Sequence, residues 1–489
     1  MTSINDEKIS FKEFEENVFK FVCNLGRTII KKCLEETDNE LMVERDKEKY
    51  RHKGLKKTSL KTVMGTVEYE RAIYKTIDEN GTKKHIYLLD EYLDMKTIGK
   101  MSGMLIEKVL ENVSIASFRK SASNVTSITG QSMSHGAVWE LVKEFGKKIE
   151  KEENVNIEKF TKGQLKGEKE VDVLFMESDG LWLNMQRKDR PKNSRSGKRE
   201  IKLGIHYEGW EKRNGNGKTY VVKSKGVVAG FTDPESFKLM RDTSIAQKYN
   251  YDEIKYKILN GDGASWIKNG HYAEGEFFQL DRFHIARVIL RNISDKKEAK
   301  KLWKSFKMLD YKEFKEKLTA LKYECGGVYE EVKKIEVLEH YLENNKDGLI
   351  PYHKKVKLPE PIEGMYYRNL GTMEHNVFDV LGYRMKGQKM SWSIKGANNL
   401  AKILAIKASG KLYQKINSLL SSNLSDKAVE IYETVIENTK HLKSNTKNKS
   451  SIYSIHECKT PFTGVALTQG RRSIRKIFQD KVATELIYR

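Results

Sequence analysis

Cysteine is scarce in this chain. Cys23, Cys33, Cys325 and Cys458 are the four in 489 residues, and no two form a C-x-x-C pair. A zinc ribbon and a thioredoxin-type motif are therefore excluded, and the four read as reduced cytosolic thiols. No apolar run is long enough to span a bilayer, so no membrane partner is expected. The start, Met1-Thr2-Ser3-Ile4-Asn5-Asp6-Glu7-Lys8, is polar and acidic, unlike a secretory signal. The expected location is the cytoplasm, in association with the nucleoid. No G-x-x-x-x-G-K-[ST] loop occurs, which argues against ATP-driven work, and no internal repeat is present. Acids are in deficit: 68 Asp+Glu stand against 90 Lys+Arg, a formal charge of +22. That balance suits a polyanion, nucleic acid before an anionic membrane. On charge alone the plainer reading is a Lys-rich soluble protein. Hydrophobic residues at 38% suffice for packed cores, and the length implies about two to four domains.

Residues 10 to about 38 read as a helix. Ser10-x-x-Glu13 is a capping box, and Phe11, Phe14, Val18, Phe21, Val22, Leu25, Ile29 and Cys33 keep helical spacing. Residues 58 to 93 switch to strand chemistry, with Asn80-Gly81 as a two-residue turn signal. These form the first unit, residues 1–100: an N-terminal helix and a small antiparallel sheet. Residues 101–150 are helical and hold a candidate helix-turn-helix. Phe118, Ala122 and Val125 form one stripe, Ser127 to Gln131 the turn, and Ser134 caps a second helix exposing His135 and Trp139. The functional reading sets that helix in a major groove of DNA; the structural one is an ordinary helical hairpin. Lys148 to Glu168 is charged and reads as a linker. Strands are predicted at 171–178, 181–185, 201–207, 256–259 and 277–280, with helices at 234–248 and 284–292. Three strands in a meander followed by alternating helix and strand is the order of an RNase H-like fold. The expected class is thus α/β plus α: a catalytic core over 168–293, an all-helical insertion over 294–365, the last core helices over 366–440, and a basic tail over 441–489.

Three acids have informative settings. Asp179 ends the apolar run Val171 to Met176 with Glu177-Ser178-Asp179-Gly180. Asp262 follows Ile258-Leu259-Asn260 between Gly261 and Gly263. Glu374 opens a helical pattern at the edge of the stripe of Met373, Val377, Phe378 and Leu381. Carboxylates at two strand ends and on a later helix can converge on divalent ions, which take oxygen ligands and carry out phosphoryl transfer. Each has a plainer alternative. Asp179-Gly180 is also a favoured turn, Glu177 shares Asp179's strand face and rivals it as a ligand, and Glu374 also suits the first turn of a helix. Asp281 and His284, at a strand-to-helix junction, can face the same site; a lone His is more often structural. A run of cations, Arg187, Lys188, Arg190, Lys192, Arg195, Lys198 and Arg199, follows Asp179 in one loop and is a candidate grip on DNA phosphates. Arg471, Arg472, Arg475 and Lys476 read as solvated charge.

Taken in order, Glu177-Ser178-Asp179-Gly180, Gly261-Asp262-Gly263-Ala264-Ser265-Trp266-Ile267, Leu280-Asp281-Arg282-Phe283-His284 and Gly371-Thr372-Met373-Glu374 resemble the bacterial insertion-sequence transposases of the ISLre group, in the Mutator-like superfamily. Ser391-Trp392-Ser393 and Gly396-Ala397 also fit. The resemblance covers most of the chain, best from about 170 to 405. It implies a DDE triad of Asp179, Asp262 and Glu374, with Asp281-x-x-His284 as the Asp-x-x-His motif of that superfamily. It further implies two Mg²⁺ or Mn²⁺ ions and metal-dependent strand transfer. The implied partners are double-stranded DNA with terminal inverted repeats, target DNA and further copies of the chain. Two alternatives stand beside it. One is a catalytically silent, domesticated DNA-binding protein. The other is a tyrosine recombinase, suggested by His284-x-x-Arg287 but disfavoured by the strands between 170 and 282.

Overall fold

The capping box at Ser10 is formed: Glu13 N–H donates to the Ser10 hydroxyl, and the Glu13 carboxylate accepts from Ser10 N–H at 2.9 Å. From it runs α1 (Phe11–Glu44). A computed structural model describes residues 9–78, 81–93, 100–192, 196–213, 219–268, 275–325, 327–387, 389–420 and 426–443. Asn80, Arg195, Cys458 and the four cations near 475 lie outside the described residues. The chain divides into two compact units, Met1–Val429 and Glu430–Arg489. Of the second unit only residues 430–443, the later part of α17 (Asp426–Lys443), are described.

In the first unit, α1 packs on an antiparallel sheet of β1 (Arg51–Thr62), β2 (Gly65–Ile77) and β3 (Lys83–Ile86), followed by α2 (Leu88–Tyr92). Leu34, Leu60, Val67, Tyr69 and Leu89 form its small core. Next come α3 (Gly103–Val113), α4 (Phe118–Ile128) and α5 (His135–Thr161). Ser102, Ser117 and Ser134 cap the three in turn, each hydroxyl accepting a main-chain N–H three residues on.

A second sheet holds the middle of the chain. Its strands are β4 (Val173–Asn184), β5 (Lys198–Tyr207), β8 (Gly226–Gly230), β9 (Tyr256–Gly261) and β10 (Glu276–Leu280); β6 (Gly209–Lys212) and β7 (Tyr220–Lys223) lie between β5 and β8 in sequence. The spatial order is β10-β9-β4-β5-β8. β5 is antiparallel to β4 and β8, whereas β9 is parallel to β4 and β10. The helix α6 (Pro234–Ala246) links β8 to β9, and the short α7 (Ser265–Lys268) precedes β10. After β10 come α8 (Arg282–Asn292), then α9 (Lys296–Lys307), α10 (Tyr311–Glu324) and α11 (Tyr329–Glu343). Beyond α12 (Tyr352–Lys355), the two-residue β11 (Met365–Tyr366) joins β6 and β7 in a third sheet. The chain closes with α13 (Met373–Asn376), a wide π turn over Val377–Gly382, α14 (Tyr383–Met385), α15 (Ile394–Ala408) and α16 (Leu412–Leu420).

Alternation along β4 divides the interior in two, because successive side chains point to opposite faces. Val173, Phe175, Leu181 and Leu183 join Leu105, Phe145, Ile149, Ala397 and Leu400. Leu174 and Met176 join Ile245, Ile285, Ile289 and the buried residues of α9–α11. At about 25 cal/mol per Å² of apolar area, these two clusters supply most of the drive to fold.

Three sequence expectations are corrected. Asp179-Gly180 is not a turn. β4 runs through it as one strand, with Asp179 opposite Leu203 and Gly180 opposite Lys202. The expected strands at 171–178 and 181–185 are therefore one, and the third strand of the meander is β8. Residues 148–161 are not a linker but the second half of α5. Ile149 is buried there, and Glu153 and Glu152 receive Lys402 and Lys415. Finally, α3 and α5 share a core with the central sheet, so the boundary expected between 150 and 168 is not a gap in packing.

Candidate metal centre

β9 stops pairing with β4 at Ser178 opposite Gly261. One residue further along each chain stand Asp179 and Asp262, at the end of the parallel pairing. Asp281 and α8 follow from the adjacent β10, which bring His284 to the same end of the sheet. Glu374 arrives on α13 from a distant part of the sequence. Asp179, His284 and Glu374 each offer a ligand atom, and these atoms lie within 4.8 Å of one another. His284 Nε2 is 3.6 Å from Asp179 Oδ2. Asp179 is 9% exposed, whereas Glu374 is open to solvent, so the group has a buried floor and an accessible side.

The field in this region is negative, against the sign of the whole chain. Burial opposes a charge on the His284 ring, but the Asp179 carboxylate beside it, with the charges of Asp281 and Asp262, outweighs that and raises its pKa. Burial pushes the Asp262 carboxyl up, and the Asp179 and Asp281 charges add to it, against a hydrogen bond from Ala264 N–H and the pull of His284. Asp262 itself lies outside the three-residue group. Its Oδ1 accepts from Ala264 N–H at 2.9 Å, and its carbonyl accepts from the Tyr341 hydroxyl at 2.9 Å.

A buried polar network sets the spacing of these elements. Glu177 is fully buried. Its carboxylate accepts from the Tyr207 hydroxyl at 2.7 Å, from Asn260 Nδ2 at 2.9 Å, from Gly371 N–H at 3.1 Å, and from Thr372 through both its N–H and its hydroxyl, the latter at 2.6 Å. Burial raises the Glu177 carboxyl's pKa, with the Thr372 and Tyr207 hydrogen bonds opposing. Asn260 Nδ2 also donates to Asp281 Oδ2 at 2.7 Å. Asp281 Oδ1 in turn accepts from Phe283 N–H and His284 N–H, capping α8. One network thus ties β4, β9, the start of α8 and the loop before α13, the four segments bearing Asp179, Asp262, His284 and Glu374. Glu177, which the sequence offers as a rival ligand, is turned to this scaffold. Asp281 is a cap rather than a member of the three-residue group.

One acid escaped the sequence reading. Glu200 on β5 pairs opposite Trp182 and lays its side chain diagonally over Gly180, where an added Cβ would sit 2.0 Å from Glu200 Oε1. Burial raises its pKa, and the charge of Asp262, then that of Asp179, adds to the rise against Lys202. Its only sequence signal is its alternation in a strand whose pairing is not legible locally.

The basic loop between β4 and β5 leaves Arg187, Lys188, Arg190, Lys192 and Lys198 exposed. Arg190 and Arg199 also donate to the Met185 and Asp189 carbonyls at 3.0 and 2.8 Å, which stiffens the loop. His135 and Trp139 are exposed on the first turns of α5, with the Lys143 ammonium 5.2 Å from the Trp139 ring centroid. Neither set reaches the three-residue group through any hydrogen bond or ion pair among the described residues. No described helix is long and apolar enough to cross a membrane.

A mixed α/β protein with carboxylates and an imidazole gathered at one end of its central sheet is the class these features define. The chain belongs to the uncharacterised protein family UPF0236, whose model matches residues 4–419. It is similar to UPF0236 proteins of Caldanaerobacter subterraneus subsp. tengcongensis. One is 25% identical over 447 residues, covering 90% of this chain and 87% of the relative. A second is 25% identical over 446 residues with the same coverage. A UPF0236 protein in the vanSb 3′ region of Streptococcus gallolyticus is 22% identical over 411 residues, covering 81% of this chain and 83% of the relative.

Proposed function

We propose that this protein is a DDE-type transposase, cutting and joining the DNA ends of the element that encodes it with the help of divalent metal ions. The observation that carries the reading is the convergence of Asp179, His284 and Glu374 from three separate segments onto one end of β4. The strand order adds to it. Three antiparallel strands flanked by two parallel ones, in the order third-second-first-fourth-fifth, is the arrangement of an RNase H-like sheet. The names of two relatives join four and eleven locus designations of a single organism; many copies in one genome are what a mobile element leaves behind.

Two carboxylates and an imidazole within 4.8 Å fit one divalent cation whose remaining positions are taken by water. A second ion needs the carboxylate of Asp262, which shares the field of Asp179 but not the group. Ions so held would activate a water or a 3′-hydroxyl and neutralise the leaving oxygen. Asp179 and Glu374 supply the oxygen ligands. His284 supplies a ring nitrogen, which binds the ion in its neutral form. Glu177 and Asn260 hold the loop and strand that carry the ligands. The cations of the β4–β5 loop grip phosphates, and the exposed start of α5 reads the element's ends.

The test is cleavage of DNA carrying the element's ends by the purified full chain with Mg²⁺ or Mn²⁺. Asp179→Asn and Glu374→Gln should each slow nicking by at least about 10²–10³-fold, the scale of removing one preorganised electrostatic partner, while DNA binding persists. Undiminished cleavage in both variants would remove the metal-centre reading. Binding without cleavage by the unaltered chain under every metal would favour the silent DNA-binding alternative.

A further inference from the structure

The first half of α1 carries a large apolar stripe that no described residue covers. Phe11, Phe14, Val18, Phe21, Val22 and Leu25 are 77, 57, 45, 67, 51 and 46% exposed. Phe11, Phe14, Val18, Phe21 and Leu25 are spaced three, four, three and four residues apart, the spacing of a coiled-coil seam rather than of a face on a globular core. The second half of the same helix is packed differently. Cys33, Leu34 and Thr37 are buried, and Leu34 joins the core formed with β1, β2 and α2. At about 100° per residue, the packed stripe and the exposed one fall on different faces. The packing against the sheet begins at Gly26, where the missing Cβ makes room for the Met64 sulfur of the β1–β2 turn. Before that glycine, Cys23 is buried while the residues of the stripe stay open.

The area fits one kind of occupant. With aromatic side chains of about 150–250 Å², those exposures amount to roughly 600 Å² per chain. That is the upper end for the largest apolar patch on a monomer, about 300–600 Å². Doubled across a two-fold axis it gives about 1,200 Å², the lower bound of a specific interface. The residues flanking the seam are Glu15, Asn17 and Asn24. They carry little charge to select a partner of opposite sign, and a self-complementary patch closes most simply on itself. We infer that the first half of α1 is a dimerisation helix, and that its occupant is the same helix of a second copy of this chain. The inference is independent of the chemistry proposed above.

Sedimentation equilibrium of the full chain tests it. The unaltered protein should be a dimer at about 10 µM, with a Kd near 1 µM or tighter. The double variant Phe14→Glu/Phe21→Glu should raise that Kd at least about 100-fold, as loss of two central anchors does. Both residues are more than half exposed, so each chain should keep its fold, seen in an unchanged near-ultraviolet circular dichroism spectrum, while the melting temperature loses its dependence on protein concentration. A monomeric unaltered chain would overturn the inference and assign the stripe to another occupant, the C-terminal segment or an unrelated partner. A double variant that remains dimeric would overturn it too, by moving the interface elsewhere.

Discussion

The two larger sheets bury charge by opposite means. In the N-terminal sheet Arg71 forms a buried ion pair with Asp90, and its guanidinium also stacks 3.8 Å from the Tyr87 ring centroid. The charges cancel where they are buried. In the central sheet Glu177 meets no cation: its partners are two hydroxyls, an amide and two main-chain N–H groups. Such donors can hold a carboxylate without neutralising it. The first arrangement is a fastener. The second meets only neutral donors, and burial raises the Glu177 carboxyl's pKa, at the end of the sheet where Asp179, Asp262 and Asp281 also stand.

The strongest way to break the contrast is Glu177→Leu. It strands four partner residues at once, two of them through the main chain, and should lower stability by about 4 kcal/mol or more, the scale for leaving buried polar partners unmatched. Urea denaturation measures it, and a loss under about 1 kcal/mol would mean that the network is not holding the loop. Glu177→Gln should also be costly, because its amide N–H₂ must face other donors.

The N-terminal pair should behave differently. Arg71→Leu alone should cost about 3 kcal/mol, because it removes the buried cation that faces Asp90; Arg71→Leu with Asp90→Leu should recover most of that loss. Equal losses in the single and double variants would erase the distinction between the two sheets. No analogous double replacement exists for Glu177, since main-chain donors cannot be substituted.

A smaller effect comes from a buried base on the central sheet. His206 on β5 is 2% exposed, with Nε2 3.2 Å from the Ser244 hydroxyl and Nδ1 without a partner. Burial, then the charges of Lys248, Lys411 and Arg241, depress its pKa from 6.5 to about 3. The unfolded chain therefore takes up this proton first. The contribution to stability is whole above the unfolded value and declines as the pH falls toward about 3. Between pH 7 and about pH 5 the loss should be about 2 kcal/mol. His206→Gln should flatten that acid limb; an unchanged slope would assign it to other groups.

The smallest effect concerns the basic loop, the outward counterpart of the acidic interior. Replacing Arg187, Lys188 and Arg190 with Gln should weaken binding to all DNA sequences alike. The slope of log K against log salt should fall by about 0.9 for each phosphate no longer neutralised. A weakening confined to one sequence would show that the loop reads bases.

What the sequence makes legible is local. Ser10 and Glu13 are three residues apart, and their capping box can be read directly. The stripes of α4, α5 and α8 follow from spacing for the same reason. What depends on partners far along the chain is not legible. Asp179-Gly180 resembles a turn until β5 is seen to pair across it. The Lys/Glu-rich end of α5 looks like a solvated linker until Lys402 and Lys415 are found opposite its acids. Glu177 and Asp179, two residues apart on one strand face, look equivalent as ligands; only the donors from Tyr207, Asn260 and Thr372 separate them. Glu200 gave no signal because its relation to Gly180 exists only across two strands. The sequence also groups Asp262 with Asp179 and Glu374, whereas the structure gathers His284 with them instead.

The separation of Glu177 from its partners also governs how the protein can be made. Gly371 and Thr372 are synthesised 194 and 195 residues after Glu177. At about 5–20 residues per second, a ribosome leaves the β4 carboxylate without its main-chain donors for roughly 10–40 s. Through that interval the strand is better left in water than packed, so the acidic end of the sheet is among the last parts of the molecule to close. A gene copy cut short before residue 371 therefore encodes neither Glu374 nor the loop that lets Glu177 be buried. Its product should go to proteolysis rather than persist as a folded, half-competent rival of the intact chain.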